Sequence, residues 1–176
     1  MKKNLFIWQV IGATFTAVLG TILHFLFEWT GFNIFATFSA VNESTWEHMK
    51  LVFIPSLIFA TIQYFIAKDE YDSFWLIKLI GILFGTLLIP ILFYTLSGIF
   101  GNLSAITNIA IFFVSVFSEY LLEYFLFKKD FIKAKLKWFS IGILLFILSL
   151  FIIFSFFPPK IPLYLDPVTR SYGIIN

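Results

Sequence analysis

The stretch NESTWEHMK, residues 42–50, carries four ionisable side chains: Glu43, Glu47, His48 and Lys50. Charged residues make up only 12% of the chain, and the sequence on either side of this stretch is almost entirely apolar. Ionisable groups near a membrane are costly to desolvate, so they usually mark a pathway, a bound ion or a catalytic centre. We therefore take residues 42–50 as the centre of the candidate site and as the boundary between two apolar spans.

The composition around this stretch is that of an integral membrane protein. Of the 176 residues, 60% are hydrophobic and 22% aromatic, and the mean hydropathy is +0.96, far above that of a soluble domain. The chain has no cysteine, which excludes disulfides, thiolate zinc sites and cysteine nucleophiles. The net charge of +2 is explained by lysines that set membrane topology, so we expect a lipid bilayer and no nucleic acid as partner.

Five apolar segments are long enough to cross a bilayer as α-helices. We predict an all-α integral membrane bundle of five transmembrane helices, with one domain over residues 1–176. Residues 30–43 are too short to span and too apolar for a free loop, which predicts a short re-entrant or interfacial segment between the first two helices. The predicted spans are 5–28, 44–67, 74–100, 104–127 and 138–157, followed by an outer C-terminal tail over 158–176.

The start of the second helix has a capping signal. Ser44 and Glu47 are spaced as a capping box, in which each side chain bonds a free amide of the first turn. This pattern also supports a purely structural interpretation, because acidic residues in a first turn stabilise the helix dipole. In that interpretation Lys50 pairs with Glu47 or Glu43, and His24 is a buried histidine bonded to the backbone.

The same residues also contain enough ligands for a metal ion. His24 and Glu28 are one turn apart near the end of the first span, and two imidazoles with two or three carboxylates can hold zinc or another divalent ion with an open position for water. Such an ion lowers the pKa of its bound water to roughly 7, and a glutamate can accept the proton. On this hypothesis the metal ligands are His24, Glu28 and His48, and the catalytic residues are Glu47 and Glu43.

The fourth span has polar residues on one helical face: Ser104, Asn108, Ser115, Glu119 and Glu123. The helix rise places Glu119 roughly 15 Å from His24 along the membrane normal, too far to share one ion. Either the re-entrant segment carries the motif inward, or Glu119 and Glu123 belong to a second site or a polar path. Alternatively, Glu123 pairs with Lys128 or Lys129. The predicted substrate or proton path consists of Asn42, Lys50, Asn108, Glu119 and Glu123.

The tail after the fifth span is rich in turn residues. Asp166-Pro167 indicates an Asx-type turn. The tail could also fold over the site as a lid that places Asp166 or Arg170 near the motif.

The positions of the basic residues predict the orientation. With the N-terminus inside, nine of the twelve Lys and Arg residues lie on the cytoplasmic side: Lys2, Lys3, Lys68, Lys78, Lys128, Lys129, Lys133, Lys135 and Lys137. Only Lys50, Lys160 and Arg170 lie outside. The positive-inside rule therefore predicts a multi-pass plasma-membrane protein with a cytoplasmic N-terminus and an outer C-terminus.

The string NES-x-WEH-x-K over residues 42–50, His24 and Glu28 upstream, and the ending from Asp166-Pro167 to Tyr172-Gly173 resemble a family of small polytopic bacterial and archaeal membrane proteins of unknown function. The resemblance extends over nearly the whole chain, and the string is its specific part. It implies that these polar residues form one site, and it implies no activity.

Three functions follow from these patterns. The first is a membrane-embedded, metal-dependent enzyme, expected to be a hydrolase of a lipid or isoprenoid-like substrate. The second is a small transporter or channel for a cation or proton, which would use Glu119 and the outer His/Glu residues and would call for a homo-oligomer or a continuous cavity. The third is a non-catalytic membrane subunit whose motif binds a partner.

Overall fold

The computed structural model describes residues 4–67, 71–129 and 136–174. Within these residues it contains five long helices and no strand: α1 (Leu5–Thr30), α2 (Thr45–Ala67), α3 (Phe74–Phe100), α4 (Ala105–Lys129) and α5 (Lys137–Phe156). Each helix is long and apolar enough to cross a membrane, which confirms the predicted all-α membrane bundle. Five of the lysines used to predict the orientation lie outside the described residues: Lys2, Lys3, Lys68, Lys133 and Lys135.

Helices α1 to α4 pack around one another, and α5 lies against α2 and α3. A side chain at Gly12 of α1 would collide with Tyr120 of α4, and one at Gly20 would collide with Phe112. The two helices are therefore antiparallel and in close contact, as small residues allow in membrane bundles. In this register His24 lies level with Asn108, and Glu119 lies about 16 Å away along the helix axes.

The segment between α1 and α2 folds back along the last turns of α1. The Ser39 hydroxyl donates to the Leu23 carbonyl and accepts a hydrogen bond of 2.9 Å from the Phe27 amide. The Ala40 amide also donates to the Leu23 carbonyl, at 3.2 Å. Ala40 thus returns to the level of Leu23, about 10 Å below the end of α1 at Thr30. This is a short non-spanning segment, as predicted, with one 3₁₀ turn at Phe35–Thr37.

The C-terminal tail packs on the start of α2. Its Tyr164 ring lies 4.8 Å from the Trp46 ring, measured between centroids. The Asp166 carboxylate accepts hydrogen bonds from the Val168 amide at 2.7 Å and the Thr169 amide at 3.3 Å, so the Asx-type turn is present. Gly173 has a φ of 70°, a conformation that favours glycine.

Candidate metal centre

Three ligand-type side chains converge where α1 ends and α2 begins. His24 Nε2 lies 3.6 Å from Glu43 Oε1, and His48 Nε2 lies 3.6 Å from Glu43 Oε2. One ligand atom from each of the three residues lies within 4.8 Å of the others. We call His24, Glu43 and His48 the His/Glu cluster. The two histidine side chains are about three-quarters buried, whereas Glu43 is 48% exposed.

The spacing within the His/Glu cluster differs from that of direct hydrogen bonds. A separation of 3.6 Å between nitrogen and oxygen is longer than the 2.7–3.2 Å range of an N–H···O bond. Two ligands at the usual zinc distances, on a tetrahedral ion, are separated by about 3.3 Å. The cluster is therefore slightly wider than a filled tetrahedral site, and small side-chain movements would close it around an ion.

The tautomer of His48 is determined by the backbone of the preceding turn. His48 Nδ1 lies 2.9 Å from the Ser44 carbonyl oxygen. Because a carbonyl only accepts, Nδ1 carries the hydrogen, and a neutral His48 presents the Nε2 lone pair to Glu43. A lone pair that faces a carboxylate is stabilised when a cation lies between them. A hydrogen bond from the ring nitrogen that does not bind the metal to a backbone carbonyl commonly orients a metal-binding histidine.

His24 is oriented mainly by packing. Its ring centroid lies 4.6 Å from that of Phe25 and 5.4 Å from that of His48. The Nδ1 atom of His24 is buried and has no hydrogen-bond partner in residues 4–67, 71–129 and 136–174, so Nε2, next to Glu43, is the ring nitrogen with a polar neighbour there. The Ser39 hydroxyl bonds the backbone of α1 on both sides of His24, at Leu23 and Phe27. These two hydrogen bonds hold the segment that follows Ser39, including Glu43, close to α1.

Two cavities open beside the His/Glu cluster. The larger one has a volume of about 290 Å³, and it is lined by all three cluster residues, by Asn108 and by apolar residues of α1 and α4, among them Gly20, Ile109, Phe112 and Phe113. The smaller one, about 90 Å³, is lined by Glu43, His48 and Asn108 as well. The Oδ1 atom of Asn108 is buried and has no hydrogen-bond partner within the described part of the chain. An unpaired amide oxygen next to a cavity is available to a ligand.

Glu47 and Lys50 lie outside the His/Glu cluster, in a separate buried network. Lys50 Nζ lies 2.6 Å from Glu47 Oε2 and donates to Ser155 Oγ at 2.7 Å and to the Ala36 carbonyl at 3.0 Å. Ser155 Oγ in turn lies 2.7 Å from Glu47 Oε1. All three ammonium hydrogens therefore have acceptors, and Lys50 pairs with Glu47 as the structural interpretation expected.

Only one half of the predicted capping box is present. The Glu47 amide lies 3.4 Å from Ser44 Oγ. The Glu47 carboxylate, however, accepts from the Val41 amide at 3.3 Å, while the Ser44 amide donates to Asn42 Oδ1 at 2.9 Å. The predicted hydrogen bond from the Ser44 amide to the Glu47 carboxylate is not formed among the described residues, because Lys50 and Ser155 bind this carboxylate instead. This half of the capping-box prediction is wrong.

The remaining predicted site residues near this end of the bundle are peripheral. Glu28 is exposed and does not belong to the cluster. Asn42 links the motif to the tail, since its Nδ2 donates to the Gly173 carbonyl at 2.9 Å. Asp166 is occupied by its own turn and Arg170 is exposed. The tail reaches the smaller cavity through Pro167 and Val168 instead.

Glu119 and Glu123 belong to a second cluster, on the α4 face that packs against α3. Glu123 Oε2 lies 2.6 Å from Lys78 Nζ, and both side chains are at most 1% exposed. The alternative that Glu123 pairs with Lys128 or Lys129 is therefore wrong. Lys78, which was counted on the cytoplasmic side, is a buried residue of α3. We call Lys78, Glu119 and Glu123 the Lys78 cluster. Its sequence signal was a lysine inside an apolar span, three residues before Gly81.

The chain belongs to a family of unknown function, DUF6512, whose family model matches residues 1–174. The match extends over nearly the whole chain, which confirms the resemblance to a family of unknown function. No curated protein and no solved structure matches the chain. The function is therefore inferred from the fold and from the two clusters.

Proposed function

We propose that the protein is a membrane-embedded, metal-dependent enzyme that hydrolyses a lipid or isoprenoid-like substrate. The observation that carries the proposal is the convergence of His24, Glu43 and His48 beside an apolar cavity of about 290 Å³. Three nitrogen and oxygen ligands with room for a water are the donor set of catalytic zinc sites.

The roles of the glutamates differ from those expected from the sequence alone. Glu43 lies between the two imidazoles, so it would hold the ion together with His24 and His48. A divalent ion bound there would supply an activated water at neutral pH. Glu43 has two oxygens, and the one not engaged by the ion can accept a proton. Glu47 is not proposed as the base, because Lys50 and Ser155 occupy its carboxylate.

The cavity favours an apolar substrate. Its lining between α1 and α4 includes Phe25 and Ile109, which are themselves exposed on the helix surfaces that would face lipid. An apolar chain could therefore enter sideways from the bilayer, with its polar group at the His/Glu cluster. Asn108, with an unpaired oxygen in the same lining, would orient that polar group.

We further propose that this site lies on the outer side of the plasma membrane. Lys50 and Lys78 are both buried in the bundle, so neither should count toward topology. Without them eight basic residues remain on the predicted cytoplasmic side and two, Lys160 and Arg170, on the other. The positive-inside rule still favours a cytoplasmic N-terminus and an outer C-terminus.

The alternative of a path through both clusters has less support. Between the levels of His24 and Glu119, helices α1 and α4 are packed by buried side chains such as Ala17, Phe112 and Val116. A conducting path would have to open this contact. The third hypothesis, a non-catalytic subunit, would require neither a metal nor the cavity.

Elemental analysis of purified, chelator-free protein tests the proposal. We expect near-stoichiometric zinc or another transition metal in the wild type and its loss in His24→Ala, Glu43→Gln and His48→Ala. Two matched controls, Glu28→Gln and Glu119→Gln, should retain the metal, because one residue is exposed outside the cluster and the other lies about 16 Å away. Neutral and phosphorylated lipids would then be screened for metal-dependent hydrolysis.

Absence of metal from the wild type, also after incubation with zinc, would reject the metal-dependent enzyme. Metal retained in all three cluster variants would reject this site while leaving a metalloprotein. Bound metal without hydrolysis of any lipid class would favour the subunit hypothesis.

A further inference from the structure

Glu119 is a completely buried carboxyl group whose two oxygens have no hydrogen-bond partner among the residues that the structure describes. The Ser56 hydroxyl on α2 approaches it without reaching hydrogen-bond geometry. An ionised carboxylate in such surroundings is strongly unfavourable unless a cation neutralises it. The proposed hydrolase does not use this residue, so its burial needs a separate explanation.

The cation nearest to Glu119 is already paired. Lys78 on α3 forms its 2.6 Å contact with Glu123, and its ammonium group is surrounded by the rings of Phe59, Phe74, Tyr120 and Phe127 at 5.3 to 6.0 Å. The charged and titratable groups that face Glu119 are Glu123 and Tyr120 on α4 and Lys78 on α3. One lysine faces two glutamates, which leaves one carboxyl without a counter-charge.

The surroundings of Glu119 leave little room for a metal ion. A Cβ atom added at Gly85 of α3 would lie 2.7 Å from Glu119 Oε2 and 3.2 Å from the Ser115 carbonyl. The carboxyl group therefore lies directly against the α3 backbone. A proton fits this site, whereas a metal ion with several oxygen ligands does not.

A chain of hydroxyl groups leads to this carboxyl. Thr16 Oγ1 of α1 lies 2.7 Å from the Tyr120 hydroxyl and 3.4 Å from Ser56 Oγ. Ser56 is in turn the hydroxyl that approaches Glu119. Hydroxyl groups both donate and accept hydrogen bonds, so a small movement of Ser56 toward Glu119 would complete a path for a proton between α1, α2 and α4.

We propose that Glu119 is a proton-binding site within the bundle, and that the hydroxyls of Ser56, Thr16 and Tyr120 connect it to its surroundings. Lys78 neutralises Glu123, and the bound proton neutralises Glu119. The site is independent of the His/Glu cluster.

Infrared spectroscopy of the full chain in lipid nanodiscs tests this proposal. A protonated carboxyl has a carbonyl band distinct from that of a carboxylate. We expect this band in the wild type at neutral pH, its loss in Glu119→Gln, and its retention in Glu28→Gln, where an exposed carboxyl is removed instead. In heavy water the band should shift, and in Ser56→Ala the shift should be slower because the hydroxyl chain is broken.

A second variant and a second probe keep the proposal open to refutation. In Glu123→Gln, Lys78 is released and can pair with Glu119, so the band should weaken. Should Glu119→Gln fail to fold, labelling of the wild type with dicyclohexylcarbodiimide, which modifies protonated carboxyls in apolar surroundings, should locate the adduct on Glu119 by mass spectrometry. A band unchanged by Glu119→Gln, the absence of any such band, a band that does not shift in heavy water, or protection of Glu119 by sodium ions at constant pH would each overturn it.

Discussion

The His/Glu cluster and the Lys78 cluster both bring glutamate side chains close to nitrogen groups, yet the distances between nitrogen and oxygen differ. In the first, nitrogen and oxygen are 3.6 Å apart, and Glu43 is half exposed beside two cavities. In the second, Lys78 and Glu123 are in contact at 2.6 Å and fully enclosed. The first arrangement leaves nitrogen and oxygen lone pairs available to a ligand, whereas in the second Lys78 occupies Oε2 of Glu123.

This difference shows that the role of a polar residue in a membrane bundle can be assigned only when its bonding partner is known. Glu47 and Glu43 are four residues apart in sequence, but Glu47 pairs with a lysine, whereas the partners of Glu43 among the described residues are histidines. A buried ion pair is costly to break and contributes little net stability. Substitutions in the His/Glu cluster should have little effect on stability in the absence of a ligand, but they should affect ligand binding.

The largest expected effect comes from breaking the ion pair in the Lys78 cluster. Lys78→Met leaves Glu123 buried without a counter-charge, and we expect a loss of about 3–5 kcal/mol in the free energy of unfolding. Unfolding in mixed micelles followed by circular dichroism measures it. The double variant Lys78→Met/Glu123→Leu should recover much of the loss, because no unpaired charge remains. A loss below about 1 kcal/mol in Lys78→Met would mean that the pair is not desolvated as described.

The second effect is the stabilisation of the protein by a metal ion bound at the His/Glu cluster. At a zinc concentration of 100 times the dissociation constant, the wild type should gain about 2.7 kcal/mol over the chelator-treated protein. The gain should vanish in His24→Ala and persist in Glu119→Gln. Thermal unfolding with and without zinc provides the comparison. Equal gains in His24→Ala and the wild type would place the zinc elsewhere.

The third effect tests the close packing that encloses the Lys78 cluster. A Cβ at Gly81 would collide with the Glu123 side chain, so Gly81→Ala should cost about 1–3 kcal/mol through overpacking. Gly98 lies on the same helix with nothing within 4 Å of such an atom. Gly98→Ala is therefore the matched control, and it should be neutral or stabilising by up to about 1 kcal/mol, since alanine favours helix. Similar losses at both positions would refute the tight α3 to α4 contact.

The smallest effect concerns the hydrogen bonds of Asn42, the residue that precedes Glu43 of the His/Glu cluster. Asn42→Ala removes the bond to Gly173 and the acceptor for the Ser44 amide, and we expect a loss of about 1 kcal/mol. Zinc affinity should fall as well, because Glu43 follows Asn42 directly. Equilibrium unfolding and zinc titration measure the two quantities. Unchanged values for both would show that the tail does not support the cluster.

The sequence was sufficient to predict the five helices and the segment before α2, because each depends on local hydropathy and length. It also predicted His24, His48 and Glu43 as site residues, since ionisable side chains are rare in this chain and cluster at residues 42–50. The separation of Glu119 from His24 followed from the helix rise alone. Each of these features follows from composition, local hydropathy or helix length.

Only the tertiary structure decided which charges are paired. Lys78 and Glu123 are 45 residues apart, and Ser155 reaches Glu47 across 108 residues, so no local pattern could identify these partners. The helix register brought Gly81 and Gly85 against the two glutamates of α4. Pairing depends on contacts between helices at distances of a few ångströms, whereas hydropathy determines only that the helices enter the membrane.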